Sequence, residues 1–355
     1  MSEGKQGTLL KEVPVREAVG LVLAHDLTQI IPGQFKGRLF KKGHVVAESD
    51  IPKLLDIGKE HIYILELGDG ELHEDDAAGR MALALKDDGL LLTEPHEGKV
   101  AVKSALDVPA LAVIEPDVVH AINELGEIAL ATLRTHAVVM PGGQLAATRV
   151  IPLVVPEAKV AAVEELVAEY RELHGGRGPI GLKPLRKFRI GMLTTGGEVF
   201  SGRIEDRFGP AVRRIVESLG SEIAEQRFSP DDRQTIVKEI HYLRQQSYDM
   251  IVVTGGMSVD PDDRTPAAIA EAGARIVNYG TPMLPGSMLL MGYLDGIPIM
   301  GLPGCVMHDP YTSFNALLPR ILAGDVIDRR DIVTMGYGGL LTAQTWETGI
   351  GKRQP

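Results

Sequence analysis

Between residues 185 and 324, short apolar runs alternate with amphipathic stretches, and this alternation constrains the fold more than any other feature of the chain. Residues 188–193, 223–227, 250–253 and 297–302 have the length and residue types of strands. Residues 210–219, 231–246 and 311–322 have helical spacing; the first carries Pro210 near its start and Val212, Ile215, Val216 and Leu219 on one face. Consecutive parallel strands need a helix-length crossover, so the pattern predicts a sheet wrapped by helices. The unbroken apolar run Met250-Ile251-Val252-Val253 predicts a strand covered on both faces. The expected fold class is therefore α/β, a mostly parallel sheet with flanking helices, preceded by α+β and β-rich regions.

Four stretches separate by composition. Residues 1–90 form a small α+β region: a short helix over 15–22, a Gly- and Lys-rich loop at Pro32-Gly33-Gln34-Phe35-Lys36-Gly37-Arg38, a helix with Ile51, Leu54 and Leu55 capped by Ser49 or Asp50, and a strand over 61–65. Glu71, Glu74, Asp75 and Asp76, with His73, lack clean metal spacing and read as a solvated loop before a helix over 77–85. Residues 91–178 hold a β-rich domain and a linker helix over 159–174, with Val160, Val163, Leu166, Val167 and Tyr170 at helical spacing. The third region is 179–325, and 326–355 is a tail.

The chain has 355 residues with 37 Lys+Arg and 48 Asp+Glu, a formal charge of −11. That balance argues against a nucleic-acid backbone binder, which needs clustered basic residues. It leaves room for a small anion, because backbone N–H groups at helix starts hold phosphate without side-chain charge. A single cysteine, Cys305, excludes an intrachain disulfide and a CxxC metal site. No run of about 18 apolar residues suggests a membrane span and residues 1–11 lack a signal-peptide core, so the expected location is cytoplasmic.

In an open parallel sheet ligands bind beyond the carboxyl ends of the strands. Three loops fall there: 194–206 with Thr195, Gly196, Gly197, Glu198, Gly202 and Asp206; 254–266 with Thr254, Gly255, Gly256, Ser258 and Asp263; and 302–309 with Pro303, Gly304, Cys305 and His308. Glycine permits close backbone approach to a phosphate, and hydroxyls add donors. Carboxylates beside such a site repel the ligand unless Mg²⁺ lies between them, so Asp263 and Asp206 suggest metal-bridged phosphate chemistry. The alternative is that these are turn glycines and helix-capping acids. Neither GxxxxGK[ST] nor a GxGxxG after a strand is present, which disfavours a P-loop or a nicotinamide-dinucleotide fold.

Thr254-Gly255-Gly256-Met257-Ser258 through Asp263-Arg264-Thr265-Pro266 resembles the TGG signature of the molybdopterin-binding domain, shared by molybdopterin adenylyltransferases and molybdenumtransferases. Ser201-Gly202 with Asp206, Pro230-Asp231-Asp232, Pro285-Gly286 and Leu302-Pro303-Gly304 match its other landmarks in order. Residues 15–26 and 33–58 resemble the opening of the molybdenumtransferase type, and 145–153 a β-rich segment of an unusual subgroup. Three departures accompany the match. The Asp-Gly-Tyr-Ala segment is absent, Cys305-Val306 follows Leu302-Pro303-Gly304 where the family has Asn-Pro or Ser-Pro, and about 30 residues follow Gly324 where the family has a C-terminal β-domain.

The resemblance implies a molybdenum-cofactor biosynthesis protein that binds molybdopterin, free or adenylylated, with molybdate as co-substrate and Mg²⁺ as cofactor, assembled as a dimer or trimer. It implies Asp263 as metal ligand, with Asp231 and Asp206 supporting it catalytically; Thr195, Gly196, Gly197, Glu198, Gly202, Thr254, Gly255, Gly256, Ser258, Pro285, Gly286, Pro303, Gly304 and Cys305 would bind the pterin. Simpler roles stay open: Asp231 as a helix cap, Asp206 as a partner of Arg203, Glu198 as a first-turn acid, Cys305 as a small filler, and Lys36, Arg38, Lys41 and Lys42 as a solvated face rather than a counter-charge to an anion. A non-catalytic molybdopterin carrier or sensor and a nucleotide pyrophosphatase are the alternative functions.

Overall fold

The computed structural model describes residues 9–31, 35–258 and 264–341. Asp263, which carries the metal expectation, lies outside the described residues, as do Gly33, Gln34 and the end of the tail. The chain divides into two compact units, Met1–Leu106 with Ala112–Leu182, and Asp107–Leu111 with Lys183–Pro355.

The first unit holds two cores. Val13, Val15, Leu23, Leu54, Ile62 and Ile64 form the amino-terminal one, on an antiparallel sheet that orders Leu9–Pro14, His61–Glu66 and Val22–Leu23. The expected helix over 15–22 is a single 3-10 turn, Val15–Glu17, followed by Gly20 at φ 83° and a strand. One turn fixes several residues for little hydrogen bonding, so a segment this short does not sustain a helix. The Gly- and Lys-rich segment expected as a loop contributes a strand, Phe35–Phe40, paired with Leu27–Ile31 as a hairpin.

In the second core, Ala77, Ala78, Met81, Ala82 and Leu85 of helix Glu74–Leu85 meet Val160, Val163 and Val167 of helix Glu157–Leu173. Both pack on strands Lys99–Ser104 and Gln144–Val150. The acidic stretch expected as a solvated loop is the first turn of the former helix, where carboxylates favour the positive end of the peptide dipoles. His73 caps it, Nδ1 accepting the Asp75 N–H at 3.3 Å.

The second unit is the α/β layer structure. Its strands are β1 (Arg189–Thr195), β2 (Glu222–Ser229), β3 (Met250–Thr254), β4 (Arg275–Tyr279), β5 (Leu290–Leu294) and β6 (Ile297–Leu302). Its main helices are α1 (Phe208–Ser218), α2 (Arg233–Gln245), α3 (Thr265–Glu271) and α4 (Ser313–Leu322). The sheet order is β2-β1-β3-β6-β5-β4; β2, β1, β3 and β6 are mutually parallel, and β5 runs antiparallel to both of its neighbours, β6 and β4.

Alternate side chains of the central strands feed two cores. Ile190, Met192, Met250, Val252, Met300 and Leu302 join Val212 and Val216 of α1 and Phe314 and Leu318 of α4. Leu193, Ile251, Val253 and Ile299 join Ile236 and Ile240 of α2 and Ile269 of α3. Fully burying each such side chain contributes about 1.5–3 kcal/mol. The chain leaves β1 for β2 on one side and returns to β3 on the other, so the ends of β1 and β3 mark a topological switch point.

Candidate functional site

A cavity of about 630 Å³ opens in the second unit beyond the carboxyl ends of β3 and β6. Gly255, Gly256, Met257 and Ser258 after β3 form one wall, and Leu302, Pro303, Gly304 and Cys305 after β6 another. The segment Leu284-Pro285-Gly286-Ser287-Met288 closes a third side, and Phe208 of α1 the fourth. Among the described residues the lining therefore contains backbone, apolar groups, two serine hydroxyls and one thiol, and no charged side chain. The volume lies within the usual range for small-molecule sites.

Two glycines are required by contact as well as conformation. Gly255 has φ 85°, and a Cβ there would overlap the Thr195 carbonyl oxygen and lie 2.8 Å from Thr195 Oγ1. Thr195 Oγ1 in turn bonds Thr265 Oγ1 at 3.1 Å, so the end of β1, the second loop and the start of α3 are one packed floor. Gly286 has φ 119°, and its Cβ would lie 2.5 Å from Ser313 N. Its carbonyl accepts from Ser313 Oγ at 2.6 Å and Thr281 Oγ1 at 2.9 Å, which fixes the Pro285–Gly286 wall to the start of α4.

The expected site residues divide. Gly255, Gly256, Ser258, Pro285, Gly286, Pro303, Gly304 and Cys305 converge on the cavity. Thr195 and Thr254 lie beneath it as buried supports, with Thr254 Oγ1 bonded to Thr194 Oγ1 at 3.2 Å. Gly196, Gly197, Glu198 and Gly202 do not line it. Glu198 is exposed, and its carbonyl accepts the Arg203 N–H at 2.9 Å.

The acids have definite work. Asp206 Oδ1 accepts the Phe208 N–H at 2.9 Å, and Oδ2 accepts the Gly209 N–H at 3.0 Å and Gln226 Nε2 at 2.6 Å. The same Gln226 nitrogen bonds Thr194 Oγ1 at 3.0 Å, so Asp206 ties the cavity wall at Phe208 to β1. It forms no pair with Arg203 among the described residues. Asp231 Oδ2 accepts the Gly197 N–H at 2.8 Å and holds the first loop. The helix cap expected of Asp231 belongs to its neighbour: Asp232 Oδ2 accepts the Thr235 N–H at 2.8 Å, and the two Thr235 bonds hold its carboxyl below the ordinary value. Burial, with the Asp309 charge adding to it, pushes the Cys305 thiol up, so it is protonated at neutral pH.

Asp206 spends both oxygens on N–H donors and Asp231 spends one, and no three metal-ligating side chains converge among the described residues. The described residues alone therefore supply no magnesium donor set, and Asp263 lies outside them. Phe208, Met257, Leu284, Ser287 and Met288 line the cavity without having been singled out in the sequence; only their adjacency to Asp206, Gly256 and Pro285-Gly286 could have pointed to them.

Residues 191–323 match a family model described as "Probable molybdopterin binding domain". The second unit belongs to this molybdopterin-binding domain family. Residues 12–66 match a domain of unknown function (DUF8806). A molybdopterin molybdenumtransferase of Staphylococcus aureus strain COL is 27% identical over 133 residues, 35% of this chain and 31% of that protein. The chain thus spans less than a third of that curated relative. A CinA-like protein of Mycobacterium sp. strain JLS is 35% identical over 82 residues, 23% of this chain and 20% of that protein. The crystal structure of the molybdopterin biosynthesis enzyme MoaB from Thermus thermophilus covers 39% of this chain and 98% of its own, at 25% identity and a TM-score of 0.33. The match takes in Phe208 and all three segments that line the cavity. No helix among the described residues is long and apolar enough to cross a membrane.

Proposed function

We propose that the protein acts in molybdenum cofactor biosynthesis by binding molybdopterin, free or adenylylated, in the cavity bounded by Gly255-Gly256, Pro285-Gly286 and Pro303-Gly304. The observation that carries this reading is the convergence of those three segments on one cavity inside a domain of the molybdopterin-binding family. Phe208, Met257 and Met288 offer apolar surface to the flat bicyclic ring. The phosphate end would meet backbone amides of the glycine loops, which hold anions without side-chain charge. Ser258 and Ser287 add hydroxyl donors.

A molybdenumtransferase that also takes up molybdate is the leading catalytic form of this proposal, with Asp263 as the acid on which its magnesium dependence rests. A pterin carrier is favoured by a specific observation: Asp206 and Asp231 are engaged by backbone amides, and the described part of the cavity lining has no charged side chain. A homo-oligomer, dimer or trimer, accompanies either form.

Purified protein incubated with adenylylated molybdopterin, molybdate and Mg²⁺ separates the readings. Molybdate-dependent AMP release marks the transferase, tight binding without turnover marks the carrier, and hydrolysis of free dinucleotides marks a pyrophosphatase. Absence of molybdopterin binding refutes the proposal. Asp263→Asn is expected to abolish turnover with an unchanged circular dichroism spectrum; unaltered turnover removes Asp263 from the mechanism.

A further inference from the structure

A second cavity, of about 270 Å³, lies within the first unit. Arg38 reaches it from strand Phe35–Phe40, Lys41 and Lys42 from the turn that follows, and Arg149 from strand Gln144–Val150. Asp26, Glu74 and Glu97 face these four cations, leaving one excess positive charge.

The pairing is uneven. Asp26 accepts from Arg38 Nη1 at 3.1 Å and from the Lys42 backbone N–H at 2.7 Å, and Glu97 takes the Lys41 ammonium. The Lys42 ammonium and the Arg149 guanidinium, both exposed, have no hydrogen bond or ion pair among the described residues, although Arg149 feels the Glu74 charge through space. Glu74 does not answer them fully. It is half-buried, with burial and then the Asp75 charge pushing its carboxyl up, and it is wedged between glycines: a Cβ at Gly98 would lie 2.8 Å from its Oε2, and one at Gly43 3.4 Å from its Oε1.

A buried donor stands beside it. His73 is 3% exposed, and its Nδ1 accepts the Asp75 N–H, which places the ring proton on Nε2. That nitrogen has no acceptor among the described residues, and the Cβ position of Gly43, beside Glu74, is 3.5 Å from it. His73 lies behind the lining of the cavity rather than in it.

We propose that this pocket binds a small tetrahedral oxyanion, held by Arg149 and Lys42 and backed by Arg38 and Lys41. Such a ligand offers several charged acceptor oxygens, which is what the two cations left without a protein partner can take. The volume, below the range of ordinary organic-ligand sites, suits an ion of this size better than a nucleotide. Phosphate, sulfate and molybdate share the chemistry.

Titration calorimetry of the full chain with each of the three ions, in separate arms, tests the site. Saturable binding of at least one is expected, weakened about tenfold or more by the double substitution Lys42→Gln, Arg149→Gln and by raised salt. Glu74→Gln removes a neighbouring negative charge and is expected to tighten binding about three- to tenfold, a gain that a misfolded variant would not show. Preference for one ion assigns the source, and equal affinities establish a general oxyanion site. No saturable binding by about 10 mM of any of the three, or an affinity unchanged in the double variant, overturns the proposal.

Discussion

Gly255→Ala is a sharp test of how the cavity floor is built. The residue sits at φ 85°, and the added methyl would overlap the Thr195 carbonyl oxygen. The left-handed conformation costs a non-glycine residue about 1–2 kcal/mol, and displacing a packed peptide adds about 1–3 kcal/mol. Together these predict a loss of about 2–5 kcal/mol. For a unit of this size, each kcal/mol lowers the melting temperature by about 2–4 °C, so a drop of about 5–20 °C is expected. Gly304→Ala is the control, because Gly304 lines the same cavity yet a Cβ there meets nothing within 4 Å. Its melting temperature should stay within about 2 °C of the parent, since substitutions in open space usually cost under about 0.5 kcal/mol. Differential scanning calorimetry of the two variants is the assay. Equal melting temperatures for Gly255→Ala and Gly304→Ala would refute the argument that the Thr195 contact, rather than glycine content as such, shapes the floor.

Three further outcomes are expected. Asp206→Ala strands the Phe208 and Gly209 N–H groups and Gln226 Nε2, and urea denaturation should show a loss of about 1–3 kcal/mol. Burial alone would raise the Asp325 and Asp331 carboxyls, but for Asp325 Lys183 and Arg320, and for Asp331 the Asp328 N–H and Arg320, outweigh it and hold both below the ordinary 3.8. Their stabilisation is therefore full above that value and is lost as pH falls through the folded-state values, so acid denaturation of Arg320→Met should begin at a higher pH than in the parent. Cys305, with its thiol raised above 9.0, should be alkylated by iodoacetamide at pH 8 several-fold more slowly than free cysteine, as followed by mass spectrometry.

The parallel strands were legible because burial on both faces leaves an unbroken apolar run, as in Met250–Thr254. The antiparallel pair Arg275–Tyr279 and Leu290–Leu294 was not: one is half-exposed and carries Arg275 and Asn278, the other is interrupted by Gly292. The hairpin Leu27–Phe40 was hidden by its glycine and lysine content, which reads as loop until the partner strand is known. Among the site residues, the glycine segments announced themselves by residue type. The assignment of Asp231 to Gly197 and of Asp232 to Thr235 was not readable, since two adjacent acids look alike until the first loop is brought against them. Phe208 was missed for a similar reason: its place in the wall depends on Asp206 and Gln226, which are 20 residues apart.

The alternation that sends Met250 and Val252 to one core and Ile251 and Val253 to the other also limits how the chain can vary in length. Deleting one residue inside Met250–Thr254 would exchange the two sets and set methionine and valine shapes against the wrong helices, while the threonine at its end would be drawn out of reach of Thr194. Insertions or deletions compatible with folding should therefore collect in the connecting segments, and related chains should align through the central strands without gaps.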